Sequence, residues 1–248
     1  MSAEQPGPRP PFLTAVWKNL LMRNHEVPED LLRPLLPPGT ELDPWNGRHL
    51  VSLVGFQFLE TRVMGIGIPL HRNFEEVNLR FYVRRKSPQG WRRGVCFVRE
   101  LVPRRAISTV ARVLYEEPYL AVPMSHRIVE SGGLPREVAY TWRMATGEGS
   151  LAAKTVGPWL PLEPGGEAEF ITEHYWGYTK RSRGPASEYQ VEHPPWRVME
   201  VTESSFAGDV TALYGKGFVE PLAAPPVSAL LAEGSAVTVR RGTRLRDG

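Results

Sequence analysis

WRRGVCFVRELVPRRAISTVARVLY, residues 91–115, reads as a strand, a break and a helix, and the rest of the chain is best taken outward from it. In the strand half, Val95, Phe97, Arg99 and Leu101 alternate with Cys96, Val98, Glu100 and Val102, so each set shares a face. Both faces are largely apolar, which suits a strand covered on both sides. A charge, Arg99 or Glu100, therefore enters an apolar layer whichever face points inward, and a buried charge needs a partner or a wet cavity. A structural ion pair and a functional site answer that need equally well.

In the helix half, Ile107, Val110, Ala111 and Leu114 recur at i, i+3, i+4 and i+7, an amphipathic stripe. Pro103 suits the turn at its start, and Glu116, Glu117 and Pro118 end the pattern. Arg104 and Arg105 would then open the helix, where their charge opposes the helix dipole unless an anion is bound. Backbone N–H groups and two guanidinium forks suit a carboxylate or phosphate. The plainer reading is two solvated arginines.

Working outward, residues 74–84 form the clearest two-sided strand: Val77, Leu79, Phe81 and Val83 on one face, Glu76, Asn78, Arg80 and Tyr82 on the other. The second face is solvated or lines a polar cavity, and solvated is the default for an antiparallel sheet. A turn at 87–90 pairs this strand with the one at 91–102. Further strands are expected at 12–27, 49–63, 121–130, 134–144, 148–156, 187–192, 196–203 and within 226–239, with short helices at 28–36 and 208–214. No repeat or linker divides the chain. The expectation is a single mainly β domain over 12–240, a Pro-rich arm at 1–11 and a basic tail at 241–248.

Composition narrows the function. With 248 residues, 30 basic against 27 acidic and a net charge of +3, the surface lacks the excess that nucleic-acid binding requires. One cysteine excludes a disulfide framework and fits a reducing compartment. No stretch reaches membrane-spanning length and the first residues carry no apolar leader, so a soluble cytoplasmic protein is expected. The six histidines show no metal-binding spacing, and neither a nucleophile elbow nor a phosphate-binding glycine loop occurs, so no metal or cofactor is expected. Residues 172–178 cluster His174, Tyr175, Trp176 and Tyr178, either as core or as a pocket wall.

The runs EEVNLRFYV (75–83), FVRELVPRRAI (97–107), TEHYWGY (172–178) and VEHPPW (191–196) together resemble the uncharacterised DUF2071, or YqjF-like, family. That family is similar in fold to acetoacetate decarboxylase. The resemblance implies an α+β, mainly β, single domain whose cone or barrel sheet surrounds a cavity, with a few packed helices. In the decarboxylases two lysines open the helix and one forms a Schiff base; here Arg104 and Arg105 stand there, and a guanidinium cannot form an imine. What the resemblance leaves is a cavity for a small carboxylate. Glu76 and Glu100 are its candidate acid–base groups, Asn78, Arg80, Arg104 and Arg105 its polar lining, and His174 and Tyr178 its wall. The expected protein is a non-Schiff-base enzyme of the lyase, isomerase or hydrolase kind, or a non-catalytic metabolite-binding protein. Extended edge strands are compatible with a homo-oligomer.

Overall fold

Four long antiparallel strands carry the architecture of the computed structural model, which describes residues 9–67, 69, 71–103, 118–181 and 184–245. They are β1 (Pro11–Glu26), β3 (Leu50–Val63), β4 (Phe74–Ser87) and β5 (Gly90–Val102). A short helix, α1 (Glu29–Leu32), and a two-residue strand, β2 (Glu41–Leu42), lie between the first two. After β5 come β6 (Tyr119–Ala121), β7 (Met124–Ser131), β8 (Leu134–Met144) and β9 (Gly147–Leu160). Helix α2 (Glu167–Thr172) leads to β10 (Trp176–Thr179), β11 (Ser187–Glu192) and β12 (Val198–Ala207). Helices α3 (Val210–Tyr214) and α4 (Val219–Ala223) precede β13 (Ser228–Arg240) and β14 (Thr243–Arg244).

The strands run in the order β11-β10-β5-β4-β3-β1-β13, and β11 pairs back onto β13 at Val191–Val239 and Glu192–Thr238, closing a seven-stranded barrel. Closure removes the exposed edges that an open sheet would present. Beyond β13 the same sheet continues through β12, β9, β8 and β7. This extension folds back over the barrel: Tyr140 of β8 donates to the carbonyl of Asn19 in β1 at 2.7 Å. Its ring lies so close to Gly55 of β3 that a Cβ there would meet Cδ2 at 2.5 Å. Residue 55 has to be glycine for the two layers to touch.

Alternation along the strands thus sorts side chains into two cores. Outside the barrel, under β7–β9 and the helices, lie Leu21, Leu53, Val77, Leu79, Phe81, Leu101, Tyr140 and Leu151, none more than 1% exposed. Inside lie Leu13, Met22, Val54, Phe56, Phe58, Phe74, Tyr82, Val95 and Trp196. The face of β4 for which solvent was the default expectation points inward instead, because the sheet closes around it: Glu76 is 3% exposed and Asn78 2%.

The strict alternation expected in β5 does not hold. Leu79 pairs with Arg99 but Arg80 pairs with Phe97, so Val98 is an extra residue and the strand bulges there. Val95 and Phe97 face inward as a pair, and beyond the bulge it is Glu100 and Val102 that do so. Arg99 turns out of the barrel and donates to the carbonyl of Leu213 in α3, at 3.2 Å. The expected helix with Arg104 and Arg105 at its start lies outside the described residues. Among the described residues no helix is long and apolar enough to cross a membrane.

Candidate functional site

Side chains from β1, β3, β4, β5 and β11 converge inside the barrel on one cavity, completed by the segments after α2 and β11. Cross-strand register builds it in layers: Phe56 opposite Glu76, then Val54, Asn78 and Glu100 in a row, then Ser52, Arg80 and Phe97. The bulge at Val98 is what brings Glu100 into line with Asn78. The lining mixes aromatic rings, Trp17, Phe56, Phe58, Phe97 and Trp196, with polar groups, Glu76, Asn78, Arg80, Glu100, Thr172 and His174. The cavity holds about 60 Å³, the space of roughly four to six waters at 10–15 Å³ each.

The polar lining is charged and mostly buried. Burial pushes the Glu76 carboxyl up to about 7, against the hydrogen bond from Asn78 (2.8 Å) and the charge of Arg80, both of which pull it down. Glu100, 1% exposed, accepts from the Tyr119 hydroxyl at 2.9 Å. Arg80 donates through one terminal nitrogen to the carbonyl of Ile171 at 3.1 Å and lies over the ring of Tyr82. Its Nε is buried and has no hydrogen-bond partner.

His174 stands on a second layer of support. Its Nε2 faces the Asp43 carboxylate at 3.4 Å, and Arg93 donates to the same oxygen at 2.6 Å. Burial alone would raise Asp43, but the hydrogen bonds from His174 and Arg93 outweigh it and hold the carboxyl below its usual range. The imidazole goes the other way: burial brings it down to about 4, although the Asp43 bond opposes this, so it is neutral at pH 7. With Nε2–H directed at Asp43, Nδ1 is left as an acceptor, and it too lacks a partner. His193 stacks on Trp196 with ring centroids 3.9 Å apart and lines the cavity as well. Burial lowers its pKa.

The structure brings Glu76, Asn78, Arg80, Glu100 and His174 together in one enclosure. Arg104 and Arg105 lie outside the described residues. Tyr178 does not belong with the others: in β10 it is Gly177 that faces inward, against the ring of Tyr189, so Tyr178 points away into the outer core. Sequence reasoning missed His193, the aromatic wall and the Asp43–Arg93 support. The repeated Glu-His pairs at 173–174 and 192–193 were the available signal.

Two chemistries can be tested against the lining. All five lysines, Lys18, Lys86, Lys154, Lys180 and Lys216, are exposed and none lines the cavity, so no lysine is in place to form an imine there. Among the described residues no group of three or more His, Cys, Asp or Glu side chains could hold a metal ion.

A model of uncharacterised conserved proteins, DUF2071, matches residues 14–236. The chain belongs to this family. Among curated proteins it is similar to the uncharacterised protein YqjF of Bacillus subtilis, 25% identical over 205 residues that cover 82% of each chain. Among solved structures it resembles acetoacetate decarboxylase from Legionella pneumophila, with a TM-score of 0.65, 14% identity and coverage of 100% of this chain and 93% of that one. The enduracididine biosynthesis enzyme MppR, solved with pyruvate, matches equally well, with a TM-score of 0.65, 14% identity and coverage of 99% and 94%. The DUF2071 barrel therefore has the acetoacetate decarboxylase-like fold.

Proposed function

We propose that the barrel interior binds a small organic acid and works on it by proton transfer, without an imine. One observation carries this reading: the cavity-lining residues hold a concentration of orphaned polar atoms, namely Trp17 Nε1, Asn78 Oδ1, Arg80 Nε and His174 Nδ1. A buried polar atom without a partner costs about 1–3 kcal/mol, and so many around one cavity are accounted for if a polar ligand supplies the missing bonds. Arg80 provides the cationic donor for the carboxylate. Glu76, titrating near neutral pH, is the proton carrier, since a general acid or base works best with a pKa close to the working pH. Neutral His174 offers an acceptor for a hydroxyl, enol or protonated acid.

The pyruvate named in the MppR structure supports a small acid as the ligand class, although a shared fold alone does not carry function. Nucleic acid is not the proposed partner. The arginines around the hairpin and β13 are already matched to carboxylates: Arg84 to Glu41, Arg85 and Arg92 to Glu188, Arg93 to Asp43 and Arg240 to Glu192.

Calorimetric titration of short carboxylic and 2-oxo acids tests the reading on wild type and Arg80→Met, with proton exchange at the α-carbon followed by NMR in D₂O. The wild type is expected to bind at least one acid, Arg80→Met to bind it tenfold or more weaker, and Glu76→Gln to bind but not exchange. Binding with no exchange in the wild type would make this a metabolite-binding protein. No binding by any acid would overturn the proposal.

A further inference from the structure

We infer that the acid taken up by this cavity is a short hydroxy acid, whose carboxylate accepts from Arg80 and whose hydroxyl donates to Nδ1 of His174. The inference rests on the proposed binding of an acid in the barrel and names the class of acid.

The orphaned atoms of the lining are of two kinds. Trp17 Nε1 and Arg80 Nε are donors, whereas Asn78 Oδ1 and His174 Nδ1 are acceptors. A carboxylate or a ketone brings acceptors alone and satisfies only the first pair. The second pair calls for a ligand that also carries a donor. Of the two acceptors, His174 is the one that cannot adapt. An asparagine amide presents a donor or an acceptor according to how it is turned. The neutral imidazole has no such choice, because the Asp43 carboxylate, held ionised by Arg93 at 2.6 Å, can only accept. Whichever ring nitrogen faces Asp43 carries the proton, and the other is left a bare acceptor. Tyr82 and Phe170 hold the ring in place, with centroids 4.7 and 5.1 Å from its own.

The donor that fits there is uncharged. Arg80 and Arg93 both disfavour positive charge on His174, so an ammonium group beside it would meet the same repulsion. A hydroxyl donates without that penalty. The cation for the carboxylate is close by: the Arg80 guanidinium lies over the Tyr82 ring, on which His174 also packs. Size sets the last limit. A cavity of about 60 Å³ holds roughly four to six waters, and so an acid of about that many heavy atoms, such as glycolate or lactate.

Lactate, pyruvate, propionate and alanine differ only at the second carbon, and calorimetric titration of the four tests this. A site built to bond a hydroxyl rejects analogues that lack it, so the wild type should bind one enantiomer of lactate about tenfold or more tighter than the other three acids. In His174→Phe the advantage of lactate over propionate should shrink to roughly twofold or less. With ¹⁵N-labelled histidine, the Nδ1 resonance of His174 should be that of an unprotonated nitrogen in the free protein. Lactate should move it upfield and propionate should not; if His174→Phe does not fold, this wild-type resonance decides alone. Equal affinity for lactate and propionate overturns the inference while leaving acid binding intact, as does a preference for pyruvate or alanine. A lactate preference undiminished in His174→Phe, or an Nδ1 resonance that lactate leaves in place, overturns the role of His174. If none of the four acids binds, the acid-binding reading falls and this inference falls with it.

Discussion

The two faces of β4 could hardly differ more. Outward, Val77, Leu79, Phe81 and Val83, each 1% exposed or less, pack into the outer core and no charged side chain intervenes between them. Inward, Glu76, Asn78, Arg80 and Tyr82 hold charge, orphaned hydrogen-bonding atoms and a cavity. The same backbone serves both, because a closed barrel has an inside that need not be filled once a second layer supplies a core outside. The extension β7–β9 and the helices are that second layer. The outer face stabilises the fold, and the inner face, at some cost to stability, is free to hold chemistry.

If this division is right, mutations should separate along it. Leu79→Ala, in the outer core, should cost about 2–5 kcal/mol in chemical denaturation, as for other buried leucines. Glu76→Gln should do the opposite. The native state holds the Glu76 proton more tightly than the unfolded chain does, so wild-type stability falls as pH rises from about 4.5 to about 7. The variant escapes that fall and should be more stable than wild type at pH 8, by on the order of 3 kcal/mol, with no difference below about pH 4. Denaturation curves at pH 4, 6 and 8 check the sign; a Glu76→Gln protein less stable at pH 8 would break the comparison. Gly55→Ala, where the new Cβ meets the Tyr140 ring, should cost about 1–3 kcal/mol by overpacking. Smallest of all, Arg127→Ala removes an ion pair with Glu137 in which both side chains are largely exposed, and should change stability by less than about 1 kcal/mol.

Much of the division was legible beforehand. The alternation of 74–84 separates an apolar set from Glu76, Asn78 and Arg80 without any structure, and the resemblance to the decarboxylases implied that the polar set lines a cavity. Periodicity alone left that face solvated, because nothing local says whether a sheet closes. Closure depends on Val191 meeting Val239, residues far apart in the chain that carry no mutual signal. The face of Glu100 was illegible for a different reason. A single extra residue, Val98, reverses the alternation, and bulges of this kind have no sequence signature in so apolar a strand. Tyr178 was misplaced because the inward position of β10 is a glycine, which pattern reading skips. Asp43, just after β2, and Arg93 of β5 support His174 from segments distant in sequence, so only folding reveals them as a unit.

On the proposed function, ligands enter the inner core and not the outer one. The seven tryptophans allow that to be seen directly, since Trp17 and Trp196 line the cavity whereas Trp142 lies in the outer core. Fluorine NMR of protein labelled with 5-fluorotryptophan, assigned with single Trp→Phe variants and titrated with propionate at pH 6, is the decisive measurement. The Trp17 and Trp196 resonances should move together and saturate, Trp142 should stay still, and Arg80→Met should abolish the shifts. Saturable movement of Trp142 with Trp17 and Trp196 unchanged would contradict the proposed function.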